Sequence, residues 1–106
     1  MVNLYDVRRK TNSFSDGVNV STWSDIETIH FEVQPMRIGK GQRDDLVMIE
    51  VGGEQYVPNF FGFTYEYTDV TAADRITCDS GTHKYLVLRT YDYEDHKELD
   101  MREVTD

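Results

Sequence analysis

Cysteine and long apolar runs are the scarcest features of this 106-residue sequence. Its single cysteine, Cys78, excludes an intrachain disulfide, which fits folding in a reducing compartment. No run of about 18 apolar residues occurs, so a transmembrane helix is excluded and we expect no membrane partner. Residues Met1 to Asp6 contain neither the charged nor the apolar region of a signal peptide, and we expect no secretion signal there.

Positive charge is also in short supply. The chain has 11 lysines and arginines against 20 aspartates and glutamates, which gives a formal net charge of −9. This balance opposes the wrapping of nucleic acid, because wrapping requires cations that neutralise phosphates. It still permits brief passage of DNA along a surface that does not hold it. The length predicts one domain, residues 1–106, rather than two.

Apolar residues recur with a period of two, as they do in half-buried strands. Ile29, Phe31 and Val33 alternate with polar neighbours. The run from Tyr85 to Thr90 is nearly continuous and is typical of a central strand covered on both faces. No window of about 12 residues carries a helical stripe. The sequence therefore predicts an all-β fold, a small antiparallel β-barrel with a long loop inserted between core strands.

Turn sequences and aromatic residues give this prediction its detail. An N-terminal strand of about residues 4–11 should end before a turn at Ser15-Asp16-Gly17, and later turns are predicted at residues 79–81 and 92–95. The aromatic side chains of residues 61, 63, 65 and 67 fall on one face of an extended segment. We expect the barrel to be held by the following residues: Phe31, Phe63, Tyr65, Val87 and Leu88.

The span from about Pro35 to Phe60 is the exception to the strand pattern, and long loops of this kind are usually functional or mobile. Three cations, Arg37, Lys40 and Arg43, precede one apolar island, which consists of Leu46, Val47, Met48 and Ile49. Exposed apolar patches mark interfaces, so the island either binds a neighbouring copy or folds back on its own barrel. A local hairpin is compatible with both readings, with residues 47–51 and 55–57 paired across Gly52-Gly53.

The sequence offers few candidate catalytic residues, because no nucleophile, base and orienting group occur together in it. We expect His30, His83 and His96 on the surface and Cys78 as a small buried residue. The acidic cluster at residues 92–96 lacks the spacing of a calcium loop, which favours a solvated turn. The sequence therefore predicts no enzyme, no metal site and no cofactor.

Three short motifs resemble one protein family, and together they span about residues 4–104. The first is Asp16-Gly17, then Trp23-Ser24-Asp25-Ile26, leading into Ile29–Val33 and Pro35. The second is Asp74-Arg75-Ile76, then Asp79-Ser80-Gly81 and Tyr85-Leu86-Val87. The third is Tyr91, His96, Glu98-Leu99 and Glu103-Val104. In order and spacing they resemble the head-completion proteins of tailed bacteriophages, also called stopper, head-closure or head–tail joining proteins.

The resemblance implies a structural β-barrel subunit that forms a homo-oligomeric ring below the portal and adaptor rings, in the neck of the virion. The subunit would be made in the host cytoplasm, would contact packaged double-stranded DNA transiently and would offer a surface for the tail terminator or tail tube proteins. Its long loop, here about Arg37 to Phe60, would close the DNA channel. Arg37, Lys40 and Arg43 would touch DNA there, and Leu46 to Ile49 would pair with neighbouring copies.

The sequence leaves two alternative functions open, and it leaves two roles open for Trp23. Another ring protein of the same neck, such as a tail terminator or tail-completion protein, is a close variant. A monomeric domain that binds carbohydrate or another ligand through Tyr56, Phe60 and Tyr93 is the competing class. Trp23 either packs over the barrel at the end of the first hairpin or anchors a contact with the adjacent ring.

Overall fold

The predicted all-β class is confirmed by a computed structural model, which describes residues 2–35, 48–78 and 82–105. Within these ranges all regular secondary structure is β-strand and no helix is present. The strands are β1 (Val2–Ser15), β2 (Val18–Pro35), β3 (Ile49–Val51), β4 (Glu54–Tyr56), β5 (Phe60–Thr64), β6 (Arg75–Cys78), β7 (His83–Asp92) and β8 (Lys97–Val104).

Six of these strands close into an antiparallel barrel in the order β1-β2-β5-β8-β7-β6. The barrel closes where β1 pairs with β6, through the three residue pairs Asp6–Thr77, Val7–Ile76 and Arg8–Arg75. Strands β3 and β4 form a separate two-stranded sheet, and β3 lies against β7. The barrel prediction is thereby confirmed, and the inserted segment lies between β2 and β5 as expected.

The interior of the barrel is filled by alternate residues of its strands. Val7, Phe31, Leu99 and Met101 have no exposed surface, and Tyr5 packs edge-on against Phe31 with 6.1 Å between ring centroids. Each such side chain contributes roughly 1.5–3 kcal/mol by leaving water. The continuous run in β7 is also buried, from Tyr85 to Leu88, as the sequence predicted.

The predicted phase of β5 is wrong. Phe61 and Phe63 are only half-buried, while Tyr65 lies beyond the strand and is 72% exposed. The buried positions are instead Gly62 and Thr64. Glycine suits this inward position, because a Cβ built on Gly62 would lie 2.8 Å from Cε of Met101, so the Met101 side chain occupies the room that a larger residue would need. The neighbouring Phe60 packs against the core, at 4.9 Å from the Tyr85 ring.

The register of the strands gives the barrel two distinct ends. At one end β2 reaches Pro35 and β5 begins at Phe60, so the inserted segment leaves and re-enters the barrel there. At the other end lie the β7–β8 turn, where Asp92 pairs with Lys97, and the segment 65–74 that connects β5 with β6. We call this second end the arm end, because β1 and β2 extend beyond the barrel there.

Candidate interaction surfaces

Strands β1 and β2 continue past the barrel as a two-stranded arm, residues 9–24. Over this range the two strands pair only with each other, from Arg9–Ser24 to Phe14–Asn19. The arm makes the molecule elongated, with extents of 53 × 28 × 27 Å. At its tip Asp16 and Gly17 both have positive φ, 51° and 74°, which is the geometry of a type I′ hairpin turn. The turn was predicted correctly, but β1 is longer than the expected 4–11.

Both faces of the arm present apolar side chains to solvent. Phe14 is 77% exposed and shares a face with Lys10 and Trp23, because paired and second-neighbour residues point the same way. Val18 and Val20, 59% and 42% exposed, occupy the opposite face. An isolated two-stranded ribbon is only marginally stable in water. The arm therefore leaves apolar side chains exposed on a strand pair that gains little stability from its own contacts.

Ion pairs hold the base of the arm at a fixed angle to the barrel. Arg9 donates two hydrogen bonds to the nearly buried carboxylate of Asp74, Nε to Oδ1 at 3.0 Å and Nη2 to Oδ2 at 2.9 Å, and it also donates to the carbonyl of Asp69 at 3.0 Å. The hydrogen bond to Asp74 raises the pKa of Arg9 above its ordinary value. Arg8 pairs with Asp25 at 2.9 Å on the outer face. These contacts orient the arm before any partner arrives.

Trp23 lies near the base of the arm and contacts the barrel. The guanidinium carbon of Arg75, on β6, lies 4.6 Å from the centroid of the Trp23 ring, a cation–π contact. Trp23 is half-buried, so the predicted packing over the barrel is seen. Its suggested contact with a neighbouring ring stays a prediction.

A groove lined by tyrosines lies at the arm end of the barrel, between residues 65–69 and residues 92–97, with a volume of about 520 Å³. Tyr65, Tyr67 and Tyr93 are 72%, 92% and 53% exposed. The groove is also acidic, since its lining includes Glu66, Asp69, Asp92, Glu94 and Asp95 and only one lysine, Lys97. We call it the tyrosine groove. Aromatic faces beside carboxylates suit a partner that is both apolar and cationic.

His96 organises one wall of the tyrosine groove. Its ring stacks on Tyr93 with 4.6 Å between centroids and an interplanar angle of 7°, and its two nitrogens lie 2.6 Å from Asp95 Oδ1 and 2.9 Å from Glu98 Oε2. These two hydrogen bonds, that with Asp95 the larger, raise the pKa of His96, and the pKa of Asp95 is lowered by the same contact. The stacking and the two hydrogen bonds hold the His96 ring in a half-buried position, whereas His30 and His83 are exposed as expected.

The acidic turn at residues 92–96 and the cysteine Cys78 make ordinary structural contacts. Asp92 pairs with Lys97 at 3.2 Å, and within residues 2–35, 48–78 and 82–105 no group of three or more histidine, cysteine, aspartate or glutamate side chains is arranged so that it could hold a metal ion. Cys78 is partly buried against the core, close to the prediction. Contact with it contributes to the raised pKa of Tyr5, about 12, of which burial is the main cause.

Most of the residues predicted to form the gate lie outside the described ranges: Arg37, Lys40, Arg43, Leu46 and Val47. Of the island, Met48 is 59% exposed and Ile49 begins β3, where it is half-buried opposite Tyr56. The local hairpin was predicted correctly, since β3 and β4 pair across Gly52-Gly53. Both glycines have positive φ, 60° and 85°, which explains why glycine stands there. The DNA-contact and interface roles of the island stay predictions.

The structure does not bring Tyr56, Phe60 and Tyr93 together as one aromatic platform. Phe60 packs on Tyr85 in the core, and Tyr93 lies at the opposite end of the barrel. Tyr56 is half-buried and lines a different depression, beside Arg102. The exposed aromatic cluster that does form, in the tyrosine groove, shares only Tyr93 with the expected one.

Comparison with protein-family models finds no match for this chain, and comparison with curated proteins finds none either. Within the part of the chain that the structure describes, no helix has the length and apolar character needed to cross a membrane.

Proposed function

We propose that this protein is a structural, non-enzymatic head–tail connector subunit of a tailed phage. It forms a ring below the portal and adaptor rings, closes the DNA channel after packaging and offers the surface to which the tail attaches. The observation that carries the proposal is a small closed barrel with the arm at one end and, at the other, the points where the segment between Pro35 and Phe60 leaves and re-enters the barrel. A subunit with separate surfaces at its two ends suits a position between two neighbouring rings.

The charge of the chain supports passage of DNA without retention. A ring of subunits that each carry a net charge of −9 repels phosphates, so DNA slides through its channel instead of binding to the wall. In this proposal the cations Arg37, Lys40 and Arg43 contact DNA only when the gate is closed. Leu46 to Ile49 join neighbouring copies of the gate, as the resemblance to head-completion proteins implies.

An attachment assay tests the position in the neck. Purified protein is mixed separately with tailless, DNA-filled heads and with isolated tails, and bound protein is measured after sedimentation. Binding to heads, followed by tail joining, is the expected result. Attachment to tails alone would instead identify a tail terminator or tail-completion protein, and attachment to neither would refute the connector role.

A deletion tests the gate. Removing residues 38–46 leaves all eight described strands in the chain, so the barrel should fold and the ring should bind to heads, while the heads lose their DNA. A variant in which the same nine positions are replaced by glycine and serine controls for the length of the connection and should leak DNA as well. Heads that retain their DNA with both variants would contradict the gating role.

The tyrosine groove favours a second candidate, an oligosaccharide-binding domain. Tyrosine rings stack on sugar faces, and carboxylates such as Asp92 and Glu94 accept hydrogen bonds from sugar hydroxyls. This candidate predicts a monomer at all concentrations. Sedimentation of the purified chain, followed by titration with an oligosaccharide panel observed through tyrosine fluorescence, separates the two functions.

A further inference from the structure

The exposed apolar side chains of this protein are concentrated at two places. Nine large apolar side chains are exposed among the described residues. Three of them, Phe14, Val18 and Val20, lie near the tip of the arm, and three are the tyrosines of the tyrosine groove. Apolar surface that is gathered in this way marks interaction sites, whereas single exposed apolar residues do not. Both places therefore call for a partner.

The strand order separates the strands of the arm from the β7–β8 wall of the tyrosine groove, while the other wall, residues 65–69, adjoins the base of the arm where Arg9 contacts Asp69. The arm extends from β1 and β2, and the groove adjoins the turn between β7 and β8. In the closed order β1-β2-β5-β8-β7-β6, one strand separates these two pairs on each side. Both features nevertheless belong to the same end of the barrel. A second copy placed beside the first could thus offer its groove to the first copy's arm.

Charge makes the two surfaces complementary. The arm, residues 9–24, carries Arg9, Lys10 and one carboxylate, Asp16, and because Arg9 is bonded to Asp74 of its own chain, Lys10 is the cation that the arm offers to a partner. The tyrosine groove has five carboxylates and one lysine in its lining. Lys10 is exposed on the same face of the arm as Phe14. That face thus combines an aromatic ring with a cation, which is the chemistry that tyrosines beside carboxylates accept.

We propose that the arm of one copy binds in the tyrosine groove of the next copy. Phe14 packs against the exposed tyrosines, and Lys10 approaches the carboxylates of the groove. The contact is heterologous, since arm meets groove, and a heterologous contact forms a ring when its repeated rotation closes and an open filament when it does not. The inference rests on the proposed function in one respect, namely that this subunit assembles with copies of itself.

The base of the arm favours a neighbouring groove over the chain's own groove. Arg9 is bonded to Asp74 and to the Asp69 carbonyl, and these contacts fix the direction in which the arm leaves the barrel. Since the arm is already ordered in that direction, little conformational entropy is lost when a partner covers it. In its own chain the arm meets the groove at its base, where Arg9 contacts Asp69, and the apolar residues near its tip stay exposed for the groove of a neighbouring copy.

Two exposed residues allow each surface to be disabled without disturbing the barrel. Phe14→Asp changes the arm and Tyr67→Asp changes the groove, at side chains that are 77% and 92% exposed. Far-UV circular dichroism and thermal melting should match the native protein. By sedimentation equilibrium, each variant should associate at least tenfold more weakly. Leu4→Asp, which changes an exposed apolar residue outside both surfaces, should associate as the native chain does.

Mixing the two variants tests the arm-to-groove pairing directly. The Phe14→Asp chain keeps a good groove and the Tyr67→Asp chain keeps a good arm, so one intact junction is available per pair of chains. A one-to-one mixture should form a heterodimer and nothing larger, while each variant alone stays monomeric. A mixture that stays monomeric, or variants that assemble as the native protein does, would overturn the inference.

The outcomes separate this inference from the proposed function. A native ring that binds heads and is unaffected by either substitution refutes the arm-to-groove contact alone. A native protein that assembles through arm and groove but attaches to neither heads nor tails refutes the connector role alone. A native chain that stays monomeric and binds an oligosaccharide in the tyrosine groove refutes the inference and favours the second candidate function.

Discussion

The contact between Gly62 and Met101 allows the inward phase of β5 to be tested by a double-mutant cycle. A Cβ at residue 62 would lie 2.8 Å from Cε of Met101 and 3.7 Å from its Sδ. Gly62→Ala therefore overpacks the core through the terminal methyl group alone. Overpacking costs about 1–3 kcal/mol, and the loss of glycine's freedom in the unfolded chain offsets about 0.4–1 kcal/mol of this. The expected net loss is about 1.5 kcal/mol.

Met101→Leu removes the clashing atom, because leucine extends no further than the position of Sδ. This substitution alone should cost less than about 1.5 kcal/mol, as a swap that nearly conserves volume. In the Met101→Leu background, Gly62→Ala should become neutral or stabilising by about 0.5 kcal/mol, since only the effect on the unfolded chain is left. The coupling free energy between the two positions is thus expected to be about 2 kcal/mol.

Urea denaturation of the four proteins, followed by far-UV circular dichroism, gives the free energies of unfolding. The native chain and the two single variants serve as the references of the cycle. Free energies that add to within about 0.5 kcal/mol would mean that the two residues do not meet. That result would refute the inward orientation of Gly62 and favour the phase in which Phe61 and Phe63 point inward.

Three further predictions concern charged and titratable groups. Asp74→Ala removes a nearly buried carboxylate that accepts hydrogen bonds from Arg9 and from the Thr71 amide, and it should cost about 2 kcal/mol in urea unfolding. Asp69→Ala, at a more exposed and more distant carboxylate, should cost less than about 1 kcal/mol, and similar losses would contradict the anchoring role of Asp74. By NMR titration the pKa of His96 should exceed 6.5. Because folding raises this pKa, His96→Gln should lower the free energy of unfolding by its full amount below about pH 6, and the difference from the native chain should vanish as the pH rises through the folded pKa. Burial raises the pKa of Tyr5 to about 12, so between about pH 10 and 12 the unfolded chain ionises this phenol while the folded chain keeps it neutral, and stability falls as the pH rises. The midpoint of alkaline unfolding should therefore shift to higher pH in Tyr5→Phe, and an unchanged midpoint would contradict this.

Fold class could be predicted because alternation is a local signal. Phe31 and its second neighbours alternate as the strand requires, and the run from Tyr85 to Leu88 is buried in the structure. The phase of β5 could not be predicted in the same way. Aromatic residues at 61 and 63 suggest an inward face, whereas the inward face carries Gly62, whose space is filled by Met101 from a different strand.

The interaction surfaces were harder to predict because their residues are ordinary by themselves. The Asp16-Gly17 turn was recognisable, but the strands on either side of it are rich in serine, threonine and asparagine, which hide the length of the arm. The tyrosine groove joins Tyr65 and Tyr67 with Tyr93, and only the closure of the barrel brings these together. Strand patterning placed Tyr65 in the core, whereas Tyr65 and Tyr67 are both exposed in the structure.

The junction between β1 and β6 has a kinetic consequence. Only three residue pairs close the barrel there, between residues about 70 positions apart in the chain, whereas the β1–β2 hairpin is long and local. Local hairpins form within microseconds, and distant pairings form late because closing a long loop costs entropy. We expect the amide protons of this junction to exchange with deuterium faster than those of the β7–β8 pair. Opening at the junction would turn the barrel briefly into a curved open sheet whose edges are β1 and β6. In that state two copies of the chain could associate by pairing their exposed edge strands.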